Sequence, residues 1–382
     1  MANTPLAVLD LVPISSGSTA AEALRNSINL ARQAEQFGYA RYWFAEHHLS
    51  PGVASTAPAV MLALTASATW SIRIGSGAVQ LGHRTPLSVV EEFGLIDALY
   101  PGRLDLGIGR SAGRPSAGAA PQPAVAAAVA AVVNAVVNGR AANGLKIPPK
   151  FSAEAMRNSP NFKLQQELLR QPGAEPPDYA EQVGDILALL RGTHRSAGGR
   201  PVHVVPGRGA AVQVWVVGSS GGPSAAVAGE NGLRFAASYH ISPATVLEAV
   251  AGYRAAFRPS AELDRPYVSV SADVVVAPDE ATARELATGY GLWVRSIRTG
   301  QGAIEFPTPA QARAYRWSDA DRELVADRVS TQFVGSPCQV ASQLEQLRDA
   351  TGADELIITT ITHEHGDRVR SYELLAQEWQ RR

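Results

Sequence analysis

The sequence predicts an α/β protein built as a closed (β/α)8 TIM barrel. Three observations predict it. Short apolar runs alternate with longer helical patterns eight times along the 382 residues. Most of those runs are apolar almost throughout, as strands covered on both faces are. The connections are short, which implies parallel strands joined by right-handed crossovers. A doubly wound open sheet is the rival, but no Gly-x-Gly-x-x-Gly turn follows the first strand, which weakens it.

The elements read in order as follows. "LAVLDLVP" (6–13) is a buried strand, and the segment 19–38 carries apolar residues at helical spacing and stops at Gly38. "ARYWFAEHH" (40–48) is the second strand, 57–69 a helix, and "IRIGSGAVQL" (72–81) the third strand. The segment 88–102 is a helix ended by Pro101 and Gly102, and "RLDLGIGR" (103–110) is the fourth strand. The rhythm then breaks over about 111–175, a stretch rich in Ala, Pro, Gly and Asn. It holds an Ala/Val helix at 123–139 and an irregular excursion at 147–162. It reads as an insertion, because the alternation resumes: helix 178–192, strand 212–221, helix 224–232, strand 233–240, helix 242–257, strand 266–277, helix 279–296. After a second excursion at about 295–330 come a helix at 338–352, the last strand "ELIITTITH" (355–363) and a helix at 367–382. The whole chain, 1–382, is therefore expected to be a single barrel domain.

Composition narrows the function. Acidic and basic residues are interspersed and nearly cancel, with a net charge of -1, so neither nucleic acid nor an anionic membrane is expected as the main partner. Cys338 is the single cysteine, which excludes an internal disulfide and a cysteine-rich metal site and fits a reducing cytoplasm. No basic-then-apolar leader opens the chain, and no apolar run reaches the roughly 18 residues of a membrane span.

In such barrels the chemistry sits at the C-terminal ends of the strands. Those ends carry Glu46-His47-His48, Gly75-Ser76-Gly77-Ala78 with Gln80, Gly107-Ile108-Gly109-Arg110-Ser111, Gly218-Ser219-Ser220-Gly221-Gly222-Pro223-Ser224, Ser238-Tyr239-His240 and Thr362-His363-Glu364-His365. The glycine- and serine-rich turn 218–224 either makes a tight N-cap or cradles a phosphate, with Arg110 on the neighbouring strand supplying charge. If the second strand continues through them, His47 and His48 point to opposite sides. One then faces the pocket as an acid/base with a pKa in the working range, unless both are solvated loop residues. Glu46 orients a ring or is structural. Gly77-Ala78 is either a bulge or bare backbone for a flat ring. His363 and His365 share a strand face, but the first strand offers only Asp10 as a ligand-type residue, so no metal is assigned and these groups read as loop or capping residues. Further pocket side chains are expected from Tyr239, His240, Trp293 and the two excursions.

Taken together, "YARYWFAEHHLSPG", "IRIGSGAVQLGHRTPLSVVEEFGLIDALYPGRLDLGIGRS" and "VWVVGSSGGPSAAVAGENGLRFAAS" resemble the bacterial luciferase-like flavin monooxygenases, over residues 6–110 and about 178–382. The resemblance implies a barrel-mouth site for reduced FMN supplied by a separate reductase, or for a deazaflavin in some branches. It implies a flavin C4a-peroxide formed with O2 that oxidises an aldehyde, ketone or other small substrate. It implies a non-prolyl cis peptide at Gly77–Ala78 against the isoalloxazine. Phosphate contacts fall on Arg110, Ser219, Ser220, Gly221 and Ser224, and His47 is the matching catalytic histidine. Homodimers are common in the family. Glycine stands at 109 where the luciferase itself has a reactive cysteine, so light emission is not implied. The alternatives are a deazaflavin-dependent dehydrogenase and a metal-dependent barrel hydrolase.

Overall fold

The structure, a computed structural model, describes residues 4–110, 122–175 and 177–382. Ser111 and the start of the predicted insertion lie outside them. The described residues contain ten strands: β1 (Leu6–Asp10), β2 (Arg41–Phe44), β3 (Arg73–Ser76), β4 (Val79–Gln80), β5 (Leu104–Gly109), β6 (Gln213–Gly218), β7 (Arg234–Ser238), β8 (Val268–Val276), β9 (Phe333–Gly335) and β10 (Glu355–Thr359). They pair in parallel in the order β10-β1-β2-β3-β5-β6-β7-β8, and β8 pairs back to β10. That last ladder closes an eight-stranded barrel, as the alternation predicts.

Four strand assignments differ from the sequence reading. The first strand stops at Asp10 and the second at Phe44, so 45–48 leave the sheet. The third run is broken into β3 and β4. The second excursion ends in a strand of its own: β9 pairs with Val274–Val276. β8 is nine residues long and its end outruns the barrel, so its backbone groups need a partner that the barrel does not supply. The first excursion also gains helices at Glu154–Arg157 and Pro160–Leu169 where the sequence reads as irregular. Short polar helices carry little apolar periodicity, which is why the pattern hides them.

Helices at 20–36, 58–68, 86–99, 179–191, 223–230, 246–256, 337–351 and 365–379 cover the sheet. Local chemistry starts and stops them. Thr19 and Glu22 form a reciprocal capping box, and Gly192 and Gly352 end their helices in the left-handed conformation. One apolar layer fills the space between sheet and helices, with Val8, Tyr42, Phe44, Ile74, Leu104 and Val214 on its sheet side. A second cluster, with Leu9, Trp43, Trp215, Ala236 and Ile357, fills the barrel interior.

The N-terminal end of the barrel is plugged by a polar network built from the first residues of five strands. Arg41 Nε donates to both oxygens of Glu355 at 2.9 Å, and its NH1 donates to Asp105 at 2.9 Å and Gln213 at 3.0 Å. Arg73 Nε and Trp43 Nε1 also donate to Asp105, at 2.8 and 3.0 Å. Arg41 lies 4.8 Å from the centre of the Trp215 ring, which meets Trp43 edge-on. Burial alone would cost the Arg41 charge, but the two carboxylates hold it protonated. Removing one partner strands the others without solvent. Arg41→Met should therefore cost about 3–5 kcal/mol of folding stability, read from urea denaturation against the wild-type chain.

Candidate functional site

At the other end, the interior side chains shrink. Ala45, Gly77, Gly109, Ala236 and Ser238 stand where the lower layer has tryptophans, and a cavity of about 320 Å³ opens among them. Leu9, Leu11, Trp43, Val217 and Ile357 make its apolar floor and walls. Phe162, Gln165 and Gln166, from the helix 160–169 in the insertion, also line it.

The break between β3 and β4 shapes one wall. Gly75 pairs with Asp105, yet Val79 pairs with Ile108, so one extra residue is accommodated between them. This is a bulge, and within it the Gly77–Ala78 peptide is cis. The bulge reading of this dipeptide is therefore met, and the cis bond stands where the family resemblance puts it. Ser76 Oγ bridges the opened ladder, donating to Gly107 O at 2.8 Å and accepting from Gly107 N at 3.0 Å. A side chain at 77 would run into Leu9 Cδ1 at 2.8 Å, so only glycine lets the backbone come this close to the floor.

Glu46 holds the far side of the bulge. Its carboxylate accepts from Gln80 N at 3.0 Å and lies 2.8 Å from His48 Nε2, 3.0 Å from His83 Nε2 and 3.5 Å from Arg84 NH2. The Gln80 amide donates to Glu46 O at 2.8 Å. Burial alone would raise this carboxyl; the hydrogen bonds from His48 and His83, the Arg84 charge and the Gln80 amide outweigh it and bring the pKa to about 2. Arg84 already supplies the cation that this carboxylate needs. Sequence reasoning missed His83 and Arg84, because nothing local ties them to position 46.

His47 lines the cavity, while His48 turns away to Glu46. The separation is the expected one, but strand alternation does not produce it, since β2 has ended; the amide of His47 is fixed on Ser55 O at 2.8 Å instead. Nδ1 of His47 is buried and has no hydrogen-bond partner among the described residues. Burial, then the neighbouring His48, lowers its pKa to about 4 against a smaller opposing pull from Glu46. The expectation of a pKa in the working range is therefore corrected. The ring is neutral at pH 7, and a nearby anion is what would raise its pKa. Of the other expected pocket side chains, His240 lines the cavity, whereas Tyr239 donates to Lys146 O and Trp293 packs in the interior cluster.

Arg110 follows the end of β5 and the turn 219–224 follows the end of β6, which are neighbouring parallel strands with Gly109 opposite Val217. They stand side by side at one rim, and Arg110 also lines the cavity. Ser219, Ser220, Gly221 and Ser224 do not line the cavity itself; they flank it. Gly222 and Pro223 open the helix 223–230 there. A side chain at 221 would meet Glu248 O at 2.7 Å, so the turn must be bare for the next helix to pack against it. Tyr179, which sequence reasoning missed, completes the group. Asp178 caps its helix and so sets Tyr179 at the first helical position. Its hydroxyl is buried without a well-formed hydrogen bond, beside Ser224 and within reach of the Arg110 charge. An unsatisfied buried hydroxyl, a guanidinium, serine hydroxyls and helix-terminal amides are the donor set of a phosphate monoester site.

The histidines near the end of the chain do not converge. His363 Nδ1 contacts Glu364 and its Nε2 lies 3.1 Å from Ser16 O, while His365 Nε2 meets Asn29 Oδ1 at 2.9 Å. They are loop and helix-start groups, as the sequence suggests.

Two buried imidazoles make stability pH-dependent. Free histidine titrates near 6.5, whereas His47 is lowered to about 4 and His240 to about 3. Between those values the unfolded chain binds the extra protons, so their contribution is full above about pH 6.5 and falls as the pH drops toward 4. Urea midpoints measured at pH 7 and pH 5 should show this loss, and His47→Asn or His240→Asn should each flatten it.

Comparison with known proteins agrees with this geometry. The sequence matches the luciferase-like monooxygenase family over residues 4–120 and 116–355. It is 35% identical over 385 residues to the uncharacterized protein YvbT of Bacillus subtilis (strain 168), covering 100% of this chain and 98% of that one. It is 31% identical to a luciferase-like monooxygenase of Escherichia coli (strain K12), covering 96% and 94%. The crystal structure of apo-MsnO8 superposes with a TM-score of 0.77 at 32% identity, covering 99% and 98%. More distant structures share the fold. Among them are the oxygenating constituent of 3,6-diketocamphane monooxygenase in complex with FMN (20% identity, TM-score 0.62) and an F420-dependent secondary alcohol dehydrogenase with an F420-acetone adduct (14%, 0.59). A closed barrel with a hollow mouth, on a chain matched along its length, leads to one assignment: the protein belongs to the luciferase-like monooxygenase family and is an oxidoreductase.

Proposed function

We propose that the chain is a flavin-dependent monooxygenase that takes reduced FMN from a separate, transiently bound reductase and uses O2 to oxidise a small neutral substrate such as an aldehyde or ketone. The observation that carries this reading is the unsatisfied Tyr179 hydroxyl beside Arg110 and Ser224, at the rim of a cavity whose floor is apolar. Arg110, Tyr179, Ser219, Ser220, Ser224 and the amide of Gly221 would hold the phosphate, and Gly77-Ala78, Leu9 and Trp43 would form the surface for the ring system. When bound, the reduced flavin supplies the electrons that activate oxygen.

The chain's own residues then do three things. The apolar floor excludes water, which would divert the reaction to hydrogen peroxide. His47, neutral and buried on one side, acts as the catalytic group that accepts a proton at a ring nitrogen and returns it. Charged residues of the lining are engaged elsewhere: Glu46 with its histidines and Arg84, Arg110 with the phosphate. A neutral substrate is what such a pocket admits without an unpaired buried charge.

We further propose that the protein works in the cytoplasm as a homodimer. Among the described residues no helix is long and apolar enough to cross a membrane. The adjacent helices 58–68 and 86–99 leave Val60, Leu64, Leu95 and Leu99 in solvent, with Trp70 90% exposed beside them. Such a patch is unusual for a monomer. Sedimentation equilibrium should give twice the chain mass for the wild type and a single-chain mass for Leu64→Glu combined with Leu99→Glu.

The cofactor assignment is tested directly. Reduced FMN is added anaerobically to the purified chain, oxygen is admitted, and the spectrum is followed; a long-lived oxygenated flavin band is the expected result. Tight deazaflavin binding with no affinity for FMN would instead favour a dehydrogenase. Arg110→Ala should weaken FMN at least tenfold more than riboflavin, since a charge-assisted phosphate contact contributes about 1.5–3 kcal/mol. Equal losses for both would refute the phosphate contact.

A further inference from the structure

His240 has no role in the account above, yet it is placed as a working group. It follows the end of β7, is buried, and lines the same cavity as His47. Its amide donates to Ser271 O at 3.2 Å, and its Nδ1 lies 2.5 Å from Ser271 Oγ. Ser271 sits on β8 and also reaches Ala237 O at 3.3 Å. One serine therefore fixes the ring plane and takes up one nitrogen. No partner within the described residues takes up Nε2.

We propose that His240 is a second acid–base group of this cavity, and that His47 and His240 act as a pair carrying at most one proton between them. The inference rests on the flavin reading only for the identity of the reaction; the pairing itself is a property of the empty protein.

The charges around the pair support it. From the second excursion, Arg328 reaches toward His240; its guanidinium donates to Asp273 at 3.2 Å and to the Tyr290 hydroxyl at 2.9 Å, and Tyr290 donates to Asp273 as well. The Asp273 carboxylate is thus taken up by Arg328 and Tyr290, and the charges that act on His240 are positive. His47 stands in the same cavity, close enough for its charge to act on His240. Behind His47 lie His48 and the Glu46 carboxylate, the latter saturated by its own partners. From helix 160–169 only the uncharged Gln165 and Gln166 approach. Glu46 is the only carboxylate among the described residues lining the cavity, so none is left to stabilise a second imidazolium, and two like charges in so small a space repel.

The consequence is chemical. An imidazole whose cation is disfavoured becomes a strong acid once protonated, so a proton that it takes from a reacting oxygen is returned quickly. The ring lone pair forms the N–H bond, the same bond breaks when a later oxygen takes the proton, and the neutral pair is restored. The second ring stays neutral throughout and can donate or accept a hydrogen bond.

The test uses the full-length chain labelled with 15N-histidine, without cofactor, its ring signals followed by NMR against pH. In the wild type neither ring should titrate near 6.5. In His47→Asn the His240 midpoint should rise by about half a pH unit or more, because the like-charged neighbour that protonates first is gone. In His240→Asn, FMN affinity should stay within about twofold, because His240 is held by Ser271 and not by the phosphate rim, while oxygen-driven reoxidation of bound reduced flavin slows about tenfold or more and shifts its pH profile. An unmoved His240 midpoint in a folded His47→Asn variant would overturn the pair. Failure of the wild type to bind FMN would overturn the flavin reading and leave the NMR result standing. Ser271→Ala keeps both rings and serves if His240→Asn does not fold. Its His240 15N shifts should pass from one fixed tautomer to a mixture, and unchanged shifts would refute the anchoring.

Discussion

Closing eight parallel strands on themselves creates an interior that has to be filled, and this constraint governs the rest of the molecule. The chain fills it unevenly. At the N-terminal end Arg41, Asp105, Glu355, Trp43 and Trp215 occupy the space with one buried ion network and two indoles. At the C-terminal end glycine, alanine and serine leave it hollow. The network is expensive to desolvate and holds only because every charge has a partner. It also frees the opposite end from a structural duty, so the mouth can be shaped for a ligand.

The mouth is shaped mainly by backbone. The bulge between β3 and β4 pushes bare peptide toward the cavity, Ser76 repairs the interrupted ladder, and the Glu46 carboxylate ties Gln80 to the end of β2. Glu46 thus serves two ends at once: it fixes the wall and draws His48 aside, leaving His47 as the imidazole that faces inward. The neutrality of His47 and His240 follows from the same dryness that an oxygen-activating site needs. Burial at this end of the barrel disfavours imidazolium at both positions.

The insertion and the second excursion meet at this end of the barrel, where Arg298 lies over the Phe151 ring. The first brings Phe162, Gln165 and Gln166 to the cavity, and the second carries Arg328, locked to Asp273 and Tyr290. Variation among such barrels is concentrated in these loops. The walls from the barrel strands read as machinery shared by the fold, and those from the excursions as the part that selects the substrate.

Much of this was legible in the sequence for a physical reason. Strand and helix periods, turn glycines and cap residues act over a few positions, so the eight units, the rim turn 218–224 and its partner Arg110 could be read from order alone. The separation of His47 from His48 was also foreseen, though through an alternation that ends three residues too early. Whatever depends on residues distant in sequence was not legible. Tyr179 joins Arg110 and Ser224 across a long insertion, His83 and Arg84 meet Glu46, and Ser271 orients His240 from the adjacent strand. The pKa of His47 belongs with these: an imidazole's proton affinity is set by how much water and charge surround it. Sequence by itself determined which groups the chain carries to the barrel rim; the closed tertiary structure decided which of them lose their water and which find a partner, because burial and pairing are properties of space and not of chain order.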